Sequence, residues 1–371
     1  MNQAAPKQNP IPFWHTKLGE AEGDAARSAI LAGHLSQGAV TETFEKKLAE
    51  LFGVPYAVTT TSGSAALFMA VRAAGIGPGD EVILPNRTFV ATAHAVLLAG
   101  AKVKLIDTLP DRPVMDASLI DSAITPRTKA VLPVHLNGRG ADMPAITALA
   151  KKRGLLVIED AAQAFHSRSA GGFLGAQSDL GCFSLGVTKL VTTGQGGFVL
   201  TRRKELHDRM QLLKNHGVVS TFAASYNAFG FNLKYNDIAA SVGLVQLTRI
   251  PAKEKAHRAF YAFYKAGLAK LKNVALLPVD EKAGELPLWV EALCPKRDRL
   301  IELLEKEGVQ ARPFLPDLDH SPHLENPDHA QFVNCRKFAA QGLFLPCGPD
   351  MPEEWMKRTL DILAQLDAQV G

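Results

Sequence analysis

At 371 residues, the chain is too long for one small core and fits two or three domains, or one large α/β domain with a smaller companion. Hydrophobic residues make up 47% and charged residues 21%, which excludes disordered, collagen-like and disulfide-scaffold classes. Lys plus Arg number 41 and Asp plus Glu 37, a net charge of +4 carried by dispersed residues, so nucleic acid is not an expected partner.

The opening stretch, MNQAAPKQNPIPFW, has no basic segment leading into an apolar run, and no signal peptide is expected. No apolar stretch reaches about 18 residues, so no membrane span is expected either. From residue 57 to 201, short β-rich runs alternate with helical patterns. AVTTT (57–61) precedes a helix over SGSAALFMAVRAAGI (62–76), stopped by Gly-Pro-Gly-Asp at 77–80. EVILP (81–85), KVKLID (102–107), KAVLPVHL (129–136) and LLVIED (155–160) read as strands. TAHAVLLAG (92–100), SLIDSAI (118–124) and MPAITALAKKRG (143–154) read as helices between them. Strands that are apolar throughout and separated by helices predict a mostly parallel sheet covered on both faces. After GCFSL (181–185) and GGFVLT (196–201), helices dominate from 204 to 272, interrupted at 217–230 and at Pro251. The tail adds a strand over PLWVEAL (287–293) and helices over 298–308 and 352–370. The expected division is a large α/β domain with the N-terminal segment over 1–250 and a small α+β domain over 251–371, with Pro251 at the boundary.

Cys182, Cys294, Cys335 and Cys347 have no CxxC spacing, so neither structural zinc nor a redox pair is expected, and no metal site is assigned. Sparse cysteines fit a reducing compartment, and the expected location is the cytoplasm.

Three segments carry the chemistry. Thr61-Ser62-Gly63-Ser64-Ala65-Ala66 lies where a strand gives way to a helix. Small residues let a ligand approach the backbone there, and helix N-terminal N–H groups attract phosphate; alone, the segment reads more readily as an ordinary N-cap. Glu159-Asp160-Ala161-Ala162-Gln163 closes a buried strand, the end at which ligands sit in open α/β sheets. Lys189 follows another apolar strand within Leu180–Leu200, a stretch where it is the only basic residue. Desolvation there lowers an amine's pKa and makes it nucleophilic. A phosphate seat, a carboxylate and an activated lysine on one sheet edge are the groups that pyridoxal 5′-phosphate requires.

TSGSAAL (61–67), GIGPGDEVILPNRTFVATA (75–93), PVHLNG (133–138), VIEDAAQA (157–164), GCFSLGVTK (181–189), TTGQGGFV (192–199), NHG (215–217) and GFNLKYNDIAASVGLVQL (230–247) follow one another in order. This series resembles the DegT/DnrJ/EryC1/StrS family of sugar aminotransferases. The resemblance implies a fold-type I, aspartate aminotransferase-like α/β architecture with pyridoxal 5′-phosphate. It implies that Lys189 forms the Schiff base and shuttles the proton, that Asp160 pairs with the ring nitrogen, and that Gln163 lies beside the ring's 3′ oxygen. Gly63, Ser64 and Ser184 would hold the phosphate, and Phe89 would stack on the ring. Asn232 would reach the neighbouring subunit's phosphate, making a homodimer with shared active sites. Lys234, where the family often has Arg, and His320 would lie toward the substrate. The implied reaction moves an amino group, from L-glutamate, to a keto sugar that is nucleotide-linked. The family's dehydratase branch has His in place of the Schiff-base lysine, and a non-catalytic regulator would have lost part of the site; Lys189, Asp160 and Ser184 argue against both.

Overall fold

The computed structural model describes residues 9–219, 225–324 and 329–371. Residues 1–8 of the opening stretch and 220–224 of the expected interruption lie outside the described residues. Thirteen strands are described: β1 (Tyr56–Thr60), β2 (Glu81–Pro85), β3 (Lys102–Ile106), β4 (Thr128–Val131), β5 (Leu156–Asp160), β6 (Arg168–Ser169), β7 (Gly172–Phe173), β8 (Leu180–Ser184), β9 (Gly197–Thr201), β10 (Ala275–Leu276), β11 (Val290–Leu293), β12 (Arg312–Pro313) and β13 (Gly342–Leu345). Seven of them form the central sheet in the order β1-β9-β8-β5-β4-β2-β3. Only β9 runs against its neighbours, β1 and β8; the other pairs are parallel. The expected α/β architecture with a mostly parallel central sheet is therefore what the chain forms.

Neighbouring residues of a strand feed different cores. Ile158 of β5 packs with the helices Gly63–Ala73 and Ala91–Leu98, whereas Val157 packs with Ile146 and Ala150 of the helix Met143–Arg153. Both faces are thus covered, which is why the strand reads as a continuous apolar run. Each fully buried Ile, Leu or Val contributes about 2 kcal/mol relative to exposure. Local signals set the helix ends. Asp142 caps Met143–Arg153 by accepting from the Ala145 N–H at 3.1 Å, and Gly154 stops that helix with φ of 69°.

The strand expected over 129–136 ends at Val131. Pro133 has no N–H for the ladder, yet its carbonyl accepts from the Asp160 N–H at 2.9 Å, and this holds the end of β5. Pro251 separates two helices, Asp237–Thr248 and Ile250–Leu268, and sits in the first turn of the second, where a missing N–H leaves no bond unmade. That second helix gives Phe260, Tyr261 and Tyr264 to a separate core built under the antiparallel sheet β10-β11-β13-β12. Ile11 and Phe13 belong to this second core too. Ile11 pairs with Val309 along the backbone, so residues 11–13 lie with the C-terminal layer rather than with the large sheet. No helix among the described residues is long and apolar enough to cross a membrane.

Candidate active site

The chain leaves β8 at its C-terminal end, makes an excursion over 185–196, and returns antiparallel as β9. This excursion carries Lys189 over the sheet edge at which β5 ends in Asp160. It is knitted to itself: the Lys189 N–H donates to Gly186 O at 3.0 Å, the Thr193 N–H to Leu185 O at 3.0 Å, and the Leu185 N–H to Gly196 O at 2.8 Å. Lys189 is half-buried and lines a cavity of about 710 Å³. Its Nζ has no hydrogen-bond or ion-pair partner among the described residues and lies 5.0 Å from the centre of the Trp289 ring. Burial holds the amine below its usual 10.5, at about 8, against the opposing pull of the Asp160 carboxylate.

That value has a measurable consequence. Below about pH 8 the neutral amine fraction rises tenfold per pH unit, and above it the fraction saturates. The rate at which the cofactor-free protein captures pyridoxal 5′-phosphate should climb with pH and level off near pH 8, read by stopped-flow absorbance. A rate that keeps climbing toward pH 10 would mean an ordinary solvated lysine.

Asp160 is buried and lines the same cavity. Thr92 Oγ1 donates to its Oδ2 at 2.7 Å, and the Ala162 N–H to its Oδ1 at 3.1 Å. Burial pushes the carboxyl up, while these two bonds and the nearby Lys189 pull it down; the net direction is upward. A cationic ring nitrogen placed beside it would keep it ionised. The preceding residue anchors the strand end. His135 Nδ1 accepts from the Ala141 N–H at 3.2 Å, so Nε2–H is the donor to Glu159 Oε2 at 2.9 Å. Glu159 also accepts from the Gly175 and Gln177 N–H groups and from Ser178 Oγ. A buried carboxylate with that many donors is fully satisfied and holds its place.

The helix Gly63–Ala73 begins at this same edge. Ser62 caps it by accepting from the Ala65 N–H at 3.1 Å. A Cβ at Gly63 would lie 2.8 Å from Ser184 Cβ, and one at Gly197 would lie 2.5 Å from Ser62 O. Only glycine lets the helix end, β8 and β9 come this close. The result is a cradle of helix N–H groups and the hydroxyls of Ser62, Ser64 and Ser184, all lining the cavity. Phe89, 50% exposed, also lines the cavity. Gln163 Oε1 accepts from the Asn137 N–H at 2.9 Å, which leaves the amide NH₂ as the end available to a ligand. This donor set fits pyridoxal 5′-phosphate: a helix N-terminus with hydroxyls for the phosphate, a carboxylate for the ring nitrogen, an unpaired amine for the carbonyl and an aromatic face for the ring.

Seven of the expected residues, Gly63, Ser64, Phe89, Asp160, Gln163, Ser184 and Lys189, therefore line one cavity. Asn232, Lys234 and His320 do not. Asn232 is exposed and pairs along the backbone with Asn215, and Lys234 Nζ donates to Asn215 Oδ1 at 3.4 Å. His320 is exposed and lies 2.9 Å from an Arg336 nitrogen. Asp319, His320 and His329 bring metal-ligand atoms within 4.8 Å of one another, but Arg336 already bonds Asp319 and His320 there, which leaves no reason to assign a metal. The sequence reading passed over several residues that matter. Thr92 orients Asp160 and sits one helical turn after Thr88, within the quoted TFVATA segment; that spacing was the available signal. Asn137, at φ of 54°, clamps Trp289 against the site, with its Oδ1 accepting from the Trp289 N–H at 2.6 Å and its Nδ2 donating to Trp289 O at 3.1 Å. Nothing local in the sequence marks that contact. From the small sheet, Glu291, Phe344 and Arg312 sit opposite one another across β11, β13 and β12 and complete the cavity wall.

A half-buried lysine and a buried aspartate at the carboxyl edge of a mostly parallel sheet, with a helix N-terminus for an anion, fit an enzyme of the pyridoxal-phosphate kind. Residues 16–364 match the profile of the DegT/DnrJ/EryC1/StrS aminotransferase family, and the chain belongs to that family. It is 35% identical over 366 residues to the dTDP-3-amino-3,4,6-trideoxy-alpha-D-glucose transaminase of Streptomyces venezuelae, covering 96% of each chain. It is 35% identical over 340 residues to the GDP-perosamine synthase of Caulobacter vibrioides, covering 89% of this chain and 91% of that one. Among solved structures it superposes on S. venezuelae DesV, crystallised in complex with a ketimine intermediate, with a TM-score of 0.93 and 32% identity, covering 98% of this chain and all of the other.

Proposed function

We propose that the chain transfers an amino group from L-glutamate to a nucleotide-linked keto sugar, with pyridoxal 5′-phosphate held at the cavity described above. The observation that carries this reading is Lys189: an amine at about pKa 8, without an ion-pair partner among the described residues, opening onto a cavity shared with Asp160 and a helix N-terminus. The names of the relatives, each a transaminase or synthase of an amino sugar nucleotide, support the acceptor class.

Bound there, the cofactor supplies a reactive carbonyl and a ring that withdraws electrons from the carbon losing its proton. Lys189 is the side chain that attaches it and, once released, the base whose Nζ accepts the proton leaving the donor's α carbon. Asp160, oriented by Thr92 and Ala162, holds the ring nitrogen in its charged form. Ser62, Ser64, Ser184 and the helix end would hold the phosphate and so anchor the cofactor beside Asp160 and Lys189. In the return half-reaction the same Nζ passes the proton back toward the sugar. A panel of keto-sugar nucleotides offered with glutamate and read by mass spectrometry tests the assignment. One of them should gain an amine in step with 2-oxoglutarate release. Absence of both products across the panel would end the reading.

Asn232 lies outside its own cavity and exposed, which supports a homodimer in which it completes the neighbour's phosphate seat. Subunits bearing Lys189→Ala mixed with subunits bearing Asn232→Ala should then recover about half the wild-type activity per mixed dimer, because one site collects both lesions and the other neither. If both residues served one chain's site, every site would carry a lesion and mixing would restore nothing.

A further inference from the structure

Arg87 stands between Asn86 and Thr88 at the end of β2, directly before the Thr88-Phe89 segment of the cavity, and it lines that cavity itself. It is buried to 5% exposure. Its Nη1 donates to Asp317 Oδ1 at 2.8 Å and more loosely to Leu315 O at 3.4 Å. The guanidinium carbon rests 4.7 Å from the centre of the Phe314 ring. Asp317 and Phe314 therefore fix one end and one face of the guanidinium. Its other edge is unused: Nε is buried without a partner, and Nη2 has none among the described residues. Nε–H and Nη2–H together form the side-on fork that matches two oxygens of one carboxylate or phosphate.

A tie between β2 and the 315–317 segment would account for Nη1 alone. Buried donors are almost always satisfied, and a lysine or a neutral donor would have served as a tie without leaving a fork open. Arg139 offers the contrast. It is also fully buried, and its Nε, Nη1 and Nη2 bond to Pro278 O, Glu291 and Leu277 O, so every nitrogen is used.

We infer that Arg87 is the oxyanion-binding residue of this cavity, its free Nε/Nη2 edge receiving two oxygens of a substrate. The inference rests on the transaminase reading for the identity of those substrates. Two sources share the chemistry: a carboxylate of the amino donor, or a carboxylate or phosphate of the sugar nucleotide. Arg312, exposed over the Phe13 ring and without an ion pair among the described residues, lines the same cavity and adds positive charge to it.

The test uses the cofactor-loaded protein and two variants. Arg87→Lys keeps a charge for Asp317 but lacks the fork, and so should fold even if Arg87→Met, which strips Asp317 of its nearest cation, does not. Glutarate binding is measured by calorimetry, and the two half-reactions are followed separately by the cofactor's absorbance. Cofactor content and melting temperature confirm that each variant is assembled. If the oxyanion is the donor's, glutarate binding and the donor half-reaction should weaken about 10- to 100-fold, with the sugar half-reaction unchanged. If it belongs to the sugar nucleotide, glutarate binding should stay and the KM of the sugar half-reaction should rise by that factor. Assembled variants in which neither changes would overturn the inference and leave Arg87 as a tie. A wild-type protein that binds glutarate yet shows no half-reaction with glutamate would instead refute glutamate as the amino donor, and with it the proposed reaction, and leave the oxyanion site standing.

Discussion

Replacing Lys189 with alanine should remove transamination by at least about 1,000-fold while the protein still folds and retains some cofactor. Two roles end together, covalent attachment and proton transfer, and a positioned acid–base group alone is worth roughly 100- to 10,000-fold. Folding should survive because Lys189 Nζ makes no hydrogen bond or ion pair among the described residues. The excursion that carries it is tied instead by backbone bonds at Gly186, Leu185 and Gly196 and by Tyr235 OH against Thr193 Oγ1. Truncation also relieves the burial of an amine whose charge is disfavoured there. The cofactor should remain weakly bound through the phosphate cradle and Phe89. Both half-reactions, followed by the cofactor's absorbance, should stop. Retention of either at near-normal rate would mean that another group moves the proton.

Asp160→Asn should lower turnover by at least about 100-fold, the scale of losing one preorganised electrostatic group. The substitution is nearly isosteric. The amide oxygen can still accept from the Ala162 N–H, and the amide NH₂ can donate to Thr92 Oγ1, which turns its own hydrogen toward Thr88 Oγ1 2.9 Å away. The hydrogen bonds survive and only the charge goes. A ring nitrogen without an anionic partner loses its proton, and with it the capacity to draw electrons from the reacting carbon. Near-normal turnover, with cofactor content unchanged, would reduce Asp160 to a residue that closes β5.

The extent to which the sequence revealed the site follows from sequence distance. Lys189, Asp160 and the Ser62–Ser64 helix start are each set by a strand and its next few residues, so local patterns exposed them. Residues brought in across long separations were not visible: Asn137 reaches Trp289, and Arg87 reaches Asp317, through folding alone. Helices divide the same way. The helix Ala39–Phe52 buries Phe44, Leu48 and Phe52 at four-residue spacing, a stripe of the kind periodicity shows, although no helix was expected over 39–52. The helix Glu20–Leu31 buries only Glu22 and Ala29, with Glu22 bonded to Gln246 and Arg249, so it has no apolar stripe to read. Asn232 and Lys234 are a third case. Their expected roles came from resemblance, and a single chain does not bring them to its own cavity.

Borohydride reduction of the purified, cofactor-loaded protein, followed by peptide mapping, tests the central assignment most directly. The cofactor should become fixed to one peptide, with the adduct on the Nζ of Lys189. An adduct on any other lysine would contradict the account of this site.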